Sequence, residues 1–337
     1  MKILFVTNDL MAGRIGSAIA QHLGPNTRFF WISEGKGSQE WQVAGLHAEQ
    51  RQYPAHNSTE GVLIDLAITT VVVGTSSPSG IEFDFALQAN RMGIPVVVLE
   101  DICGGHTRLV EKGHINPALV LTCDDIASSL VWKAYPKTKI LVIGHPNAVV
   151  VRPDPILTIW IENLRREFGP VVLFGGQATF SDLGLVLDCM RISEGVLIPR
   201  FHPKLVDKRV GVTTMGDIWR EMSGRINGGN FDYPDASTDQ LAAAADITCS
   251  GFSSLLTTAA LAGRVSVSLW TPEVAQQLWI ENKLQQVPQV ALGISHSISE
   301  ATRLEKLNPT MSVEEARERV PTLNPISGAR AIESLDR

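Results

Sequence analysis

The stretch from Asp246 to Leu269, DITCSGFSSLLTTAALAGRVSVSL, limits the fold more than any other part of the chain. Its apolar start, Asp246 to Cys249, reads as a short buried strand. Ser250-Gly251-Phe252-Ser253-Ser254 then supplies the small residues of a tight turn. The Ala- and Leu-rich segment that follows predicts a helix ending near Gly263, and Val265 to Leu269 predicts a second strand. Strand, turn, helix, strand is the unit of a doubly wound sheet, because parallel strands need a crossover long enough to hold a helix. The turn also has a chemical consequence. The first N–H groups of a helix lack internal partners and the helix dipole is positive there. Ser253 and Ser254 at that point predict a site for an anion, a phosphate above all. The competing role for either serine is an ordinary N-cap.

The same alternation recurs from the N-terminus. Lys2 to Thr7, Arg28 to Ile32, Ile68 to Val73, Pro95 to Leu99, Ala118 to Thr122 and Ile140 to Ile143 are short apolar runs, as buried parallel strands require. The first is read as a strand and not a signal peptide, since it is short and Asn8-Asp9 ends it. Gly13 and Gly16 follow without GxGxxG spacing, and no acidic residue about 20 positions on completes a dinucleotide fingerprint. Ser33 to Ser38 reads as a Gly-rich loop with no clear helix after it. Val151 to Pro155, VRPDP, marks a domain boundary. Beyond it come a helix from Leu157 to Phe168, strands from Pro170 to Phe174 and Gly195 to Ile198, and a helix from Asp182 to Met190. Val290 to Leu292 reads as a short strand, and Ser299 to Lys306 and Ser312 to Arg319 as charged helices. The expected architecture is α/β, with two doubly wound parallel-sheet domains, 1–150 and 151–311, and a helical segment, 312–337, packing back toward the first.

In such sheets ligands gather at the carboxyl ends of the strands, which selects the candidate residues. In the first domain these are Asn8 and Asp9, the hydroxyl-rich loop Thr75 to Gly80 with Ser76 and Ser77, and Glu100, Asp101 and His106. The last three could supply a general base. Glu82 and Asp84 fall in the first turn of a helix, where the dipole favours carboxylates. In the second domain they are Gly175 and Gly176, which allow close backbone approach, the basic run Arg200-Phe201-His202-Pro203-Lys204, and Ser250, Gly251, Ser253 and Ser254. The net charge of −6 offers no basic footprint for nucleic acid. The four cysteines are far apart in sequence, with no CxxC or Cys/His cluster, so a structural zinc site is not expected. Reduced core thiols fit a cytoplasmic location. The sequence has no apolar run long enough for a membrane span, and leaves peripheral membrane contact open.

RFHPKL and SGFSSLLTTAAL, at successive strand ends after the GGQ turn, resemble the donor domain of GT-B glycosyltransferases, which pair two Rossmann-like domains across a cleft. Within that superfamily they are most similar to enzymes with a His-Pro motif and a Ser-Ser or Ser-Thr turn: CDP-glycerol glycerophosphotransferases, GT-B bacterial sialyltransferases and capsule polysaccharide transferases. The resemblance implies that His202, Pro203, Ser253 and Ser254 contact the donor's phosphates. It also implies that SGARAIESL forms the last helix, crossing back to the first domain. Two departures stand out. Glu100-Asp101-Ile102 is a loose counterpart of the sialyltransferase acidic pair. Thr257 and Thr258 stand where an acidic residue often follows the Ser turn.

The expected function is thus metal-independent transfer of a sugar from a UDP-, CDP- or CMP-linked donor to a saccharide or other hydroxyl acceptor, with no cofactor. Arg200, His202 and Lys204 would hold the leaving phosphate. Glu100 or Asp101 would act as base, and Asn8, Asp9, Ser76, Ser77 and His106 would line the acceptor side. Two alternatives are a nucleotide-sugar epimerase or hydrolase of the same fold, which needs a richer set of carboxylates and histidines, and a non-catalytic binding protein.

Overall fold

A computed structural model of the chain describes residues 1–33, 35–46, 58–76, 80–176, 180–201, 209–210, 212–214, 216–218, 221 and 235–336. Two compact units emerge, Met1–Pro146 together with Pro321–Arg337, and Asn147–Val320.

The first unit is built on β1 (Lys2–Val6), β2 (Arg28–Ile32), β3 (Thr70–Val73), β4 (Val96–Glu100), β5 (Leu119–Thr122) and β6 (Lys139–Val142). They form a six-stranded sheet in the order β2-β1-β3-β4-β5-β6, every pairing parallel. The helices are α1 (Leu10–Ala20), α2 (Gly37–Val43), α3 (Thr59–Asp65), α4 (Ile81–Arg91), α5 (Thr107–Lys112) and α6 (Asp125–Ala134). Side chains alternate faces along a strand, and both faces here are apolar. Leu4, Val6, Val71, Val73, Val96, Val98 and Val120 pack on one side with α3, α4 and α5. Ile3, Phe5, Val72, Val97, Leu99, Leu119 and Leu121 pack on the other with α1, Trp41 and the C-terminal helix, Pro325–Glu333. That helix is tied down through Glu333, whose Oε1 accepts from Gly24 N at 2.7 Å and Thr27 Oγ1 at 2.8 Å.

The second unit contains α7 (Pro155–Phe168), β7 (Val171–Gly176), α8 (Phe180–Ile192), β8 (Val196–Phe201), a small antiparallel hairpin of β9 (Arg209–Val210) and β10 (Thr213–Thr214), α9 (Thr238–Ala244), β11 (Ile247–Ser250), α10 (Leu255–Leu261), β12 (Val265–Leu269), α11 (Pro272–Asn282), α12 (Pro288–Ala291), β13 (His296–Ile298) and α13 (Val313–Arg319). The main sheet has the order β13-β12-β11-β7-β8, again parallel. In chain order its five strands therefore repeat the arrangement of the first five strands of the first sheet. Among the described residues, no helix is long and apolar enough to cross a membrane.

Local departures from the sequence reading have physical causes. Of the expected loop Ser33 to Ser38, Gly37 and Ser38 already belong to α2, and a side chain at Gly13 would come within 2.6 Å of the Gly37 carbonyl oxygen. The glycine thus serves the close contact between α1 and α2. Val290 to Leu292 is helical, started by Pro288 at the first helical position; the strand lies later, at His296–Ile298. Of the expected helix from Ser299, only a 3₁₀ turn at Leu304–Lys306 forms. α13 belongs with the second unit, where Ala316 and Val320 pack with Ala260 and Leu261.

Candidate active site

At the carboxyl edge of the first sheet, β4 ends in Glu100, only 1% exposed. A buried carboxylate needs hydrogen bonds in place of water. Gly104 N donates to Oε1 and His106 N to Oε2, each at 2.9 Å, and His106 Nδ1 stands 2.9 Å from both oxygens. Glu100 is therefore occupied in holding the turn and orienting the imidazole. With Nδ1 committed, Nε2 is the nitrogen left to exchange a proton.

Asp101 is 7% exposed, and its Oδ1 accepts from Thr75 Oγ1 at 2.7 Å. Burial pushes its carboxyl up to about 6, with Thr75 pulling down, Asp9 pushing up and Arg108 pulling down. Arg108 also donates to the Thr75 carbonyl at 2.9 Å. Gly105 packs so closely on Thr75 Oγ1 that a side chain there would collide with it. Glu82 is fully buried and its Oε1 accepts from Asn8 N at 2.9 Å and from the Ser76 hydroxyl. Burial holds this carboxyl above its usual range as well.

The fold thus gathers Asp9, Glu82, Glu100, Asp101 and His106 at the ends of β1, β3 and β4. Two sequence expectations change. Ser76 is buried and bonded to Glu82, so its hydroxyl serves that carboxyl and does not line an acceptor site. Glu82 is more than a dipole-complementing surface carboxylate. The signal for it was its place just after a hydroxyl-rich loop at a strand end. Asn8 takes part through its backbone N–H, and Ser77 lies outside the described residues.

In the second unit, Arg200, Gly175, Ser250 and Ser268 are successive register partners across β8, β7, β11 and β12. Register partners in parallel strands face the same side, so Arg200 shares a face with the start of α10. β8 runs to Phe201, which puts Arg200 within the strand; its Nη2 donates to Ala236 O at 3.4 Å. Gly175 is required by contact, since a side chain there would strike Leu255 Cδ1 at 2.7 Å. Gly176 lies between the rings of Phe174 and Phe201. Ser250 corrects the sequence reading. It is fully buried and donates to Gly175 O at 2.6 Å, so its hydroxyl ties β11 to β7 and cannot face a ligand. Likewise Gly251 O accepts from Ser268 Oγ at 2.8 Å. Ser253 and Ser254 remain half-buried at the start of α10. Ser253 Oγ accepts from Leu255 N at 3.3 Å, whereas the Ser254 side chain makes no capping bond. His202, Pro203 and Lys204 lie outside the described residues.

All four cysteines are free and buried. Sequence spacing gave no Cys/His group, yet the fold brings Cys123, Asp124 and His145 together.

No protein-family model and no curated sequence matches the chain. Solved structures do. A putative UDP-N-acetylglucosamine 2-epimerase from Listeria monocytogenes matches with a TM-score of 0.63 at 11% identity, over 99% of this chain and 95% of that one. The Anabaena protein HepE, solved with UDP and glucose, matches at 0.62 and 13%, over 100% and 99%. The UDP-GlcNAc 2-epimerase of Methanocaldococcus jannaschii, in complex with UDP-GlcNAc and UDP, matches at 0.56 and 14%, over 100% and 99%. The chain has a GT-B-type fold. These likenesses span both units, so the GT-B architecture is a property of the whole chain. They lend no support to the narrower resemblance to the His-Pro-motif transferases.

Proposed function

We propose that this GT-B-type chain is an enzyme acting on a nucleotide-linked sugar, and that it epimerises or hydrolyses the sugar in preference to transferring it. The observation that carries the reading is the gathering of Glu82, Glu100, Asp101 and His106 at one sheet edge. Epimerisation needs a proton to leave a sugar carbon and another to return on the opposite face, hence more than one proton-carrying group. A carboxyl whose pKa is about 6 suits that task near neutral pH. Asp101 is assigned as the proton acceptor and His106 Nε2, oriented by Glu100, as its partner. Support for the nucleotide comes from the 2-epimerase and HepE structures, which contain UDP or UDP-GlcNAc. In the second unit, Gly175, Gly176, Arg200, Gly251, Ser253 and Ser254 would hold the diphosphate through backbone N–H groups, hydroxyls and charge. His202, Pro203 and Lys204 would complete that corner.

The test is incubation with UDP-sugars in D₂O without any acceptor. Epimerisation gives a new sugar configuration carrying solvent deuterium, and hydrolysis gives free sugar and UDP. Turnover that begins only when a hydroxyl acceptor is added would replace this reading with a transferase. Glucose and UDP together in the HepE structure keep that second reading in view.

A further inference from the structure

The first sheet edge carries another group of side chains that the proposed reaction does not use. The chain leaves β5 at Thr122 and passes into Cys123 and Asp124, and leaves β6 at Val142 and passes through Ile143 and Gly144 to His145. Donor atoms of Cys123, Asp124 and His145 all lie within 4.8 Å of one another. Cys123 Sγ is 3.6 Å from Asp124 Oδ2. A sulfur at about 2.3 Å and an oxygen at about 2.0 Å from a tetrahedral zinc stand about 3.5 Å apart, so this pair is already at ligand spacing. The other oxygen of Asp124 accepts from Ala127 N at 2.8 Å as the N-cap of α6. Such an outer bond fixes the orientation of a ligating carboxylate.

His145 adds an independent observation. Its Nδ1 is shielded from solvent and has no hydrogen-bond partner. A hidden polar atom of this kind is costly unless something binds it. The residue is also held from behind: its backbone N donates to Pro321 O at 2.7 Å and it pairs in parallel with Thr322. Gly144 makes that approach feasible, with φ of +91° and no room for a side chain beside Thr322. Each donor therefore lies within three residues of a strand end, with Asp124 fixed as a helix N-cap and His145 by its bridge to Thr322, as a preorganised site requires.

We infer that Cys123, Asp124 and His145 bind one zinc-like divalent transition-metal ion. Thiolate, carboxylate and imidazole are a borderline-soft S/O/N set that suits zinc and its cobalt substitute better than magnesium or calcium. Three protein ligands leave a fourth position for water. On binding, the Cys123 S–H bond breaks, a metal–sulfur bond forms and the proton passes to solvent. The ion would clamp the ends of β5 and β6 against the returning segment at Pro321–Thr322. Glu100 and Thr122 are register partners, so the ion would sit one strand over from the acid–base set. The inference stands independently of the proposed reaction.

The experiment begins with chelator-treated full-length protein, titrated with Zn²⁺ by equilibrium dialysis and with Co²⁺ by absorption. The expected result is one equivalent bound, a near-ultraviolet thiolate-to-cobalt charge-transfer band, and a higher melting temperature with zinc. Cys123→Ser abolishes the band, and His145→Ala weakens zinc retention by at least about tenfold. Wild-type protein that binds no cobalt, or binds it without the thiolate band, overturns the proposal whether or not the variants fold. Unchanged zinc retention in a folded Cys123→Ser/His145→Ala double variant overturns it too.

Discussion

Replacing Asp101 with Asn should stabilise the first unit, and by an amount that depends on pH in a defined way. In the unfolded chain the carboxyl titrates near 3.8; in the fold, burial raises it to about 6. The folded state therefore binds more protons than the unfolded state between those values. Stability falls as pH rises through that window. The favourable contribution of the neutral carboxyl is complete below the unfolded value and lost once the folded group ionises. The rise from 3.8 to about 6 corresponds to about 3 kcal/mol, little screened because Asp101 is 7% exposed. Asparagine keeps an oxygen to accept from Thr75 Oγ1 and carries no charge. Relative to wild type, Asp101→Asn should thus gain stability from pH 4 upward and level off above about pH 7, at up to about 3 kcal/mol. Urea unfolding can follow the stacked Trp31–Trp41 pair, ring centroids 5.5 Å apart, whose exciton circular dichroism reports on the first unit alone. A stability difference that stays flat from pH 4 to 8 would refute the buried-charge argument. If Asp101 is also the proton acceptor, the stabilised variant is inactive, the usual opposition between stability and a working site.

Gly175→Ala should lower stability by about 1–3 kcal/mol and weaken UDP binding, because the methyl displaces Leu255 and the start of α10; thermal melts with and without UDP check both effects. Ser250→Ala should cost about 1–2 kcal/mol by leaving the buried Gly175 carbonyl without its donor, while UDP affinity in the folded protein stays unchanged. Ser253→Ala should do the reverse in calorimetric titration, losing about tenfold in UDP affinity, about 1.4 kcal/mol, with little change in melting temperature. Glu100→Gln should destabilise by about 2 kcal/mol and lower turnover, since a carboxylate that holds Gly104 N and orients His106 is lost; unchanged turnover in the folded variant would remove His106 from the reaction.

The doubly wound sheets were readable because most of their strands are short continuous apolar runs; the edge strand His296–Ile298, which is not one, was missed. The end of β4 was readable too, which is why Glu100, Asp101 and His106 stand out in the sequence; the end of β8 was not, since that strand runs on to Phe201. Which side chains are spent on structure was not readable. Ser250 and Ser253 look equivalent in the sequence, yet the register that puts Ser250 beside Gly175 spends its hydroxyl on a backbone carbonyl. Glu82 resembled an ordinary first-turn carboxylate because nothing local reveals that Asn8 N, far away in sequence, points at it. Cys123 and His145 are held together by strand adjacency, which spacing rules written for zinc loops do not detect. Pro288 settled a short apolar segment as helix, where three residues carry too little periodicity to decide.

The two main sheets share the order of their first five strands and differ in the groups at their carboxyl edges, which bears on where the parts of a nucleotide-sugar would go under the proposed function. Two like unit charges 4 Å apart repel by about 4 kcal/mol at an effective dielectric constant of about 20. A diphosphate set against Glu100 and Asp101 would meet that penalty more than once, and would push the Asp101 carboxyl further from ionising. At the second edge Arg200, two glycines, two half-buried serines and the N–H groups of a helix start stand alongside the first-turn carboxylates Asp182, Asp239 and Glu273. Arg200 and the helix N–H groups are what would attract an anion there. On the proposed function, the phosphates would go to Arg200 and the helix start, and proton exchange to the edge that carries Asp101. A carboxyl raised toward neutrality by burial is then useful where no phosphate sits beside it, because a neighbouring dianion would hold it protonated and unable to act as a base.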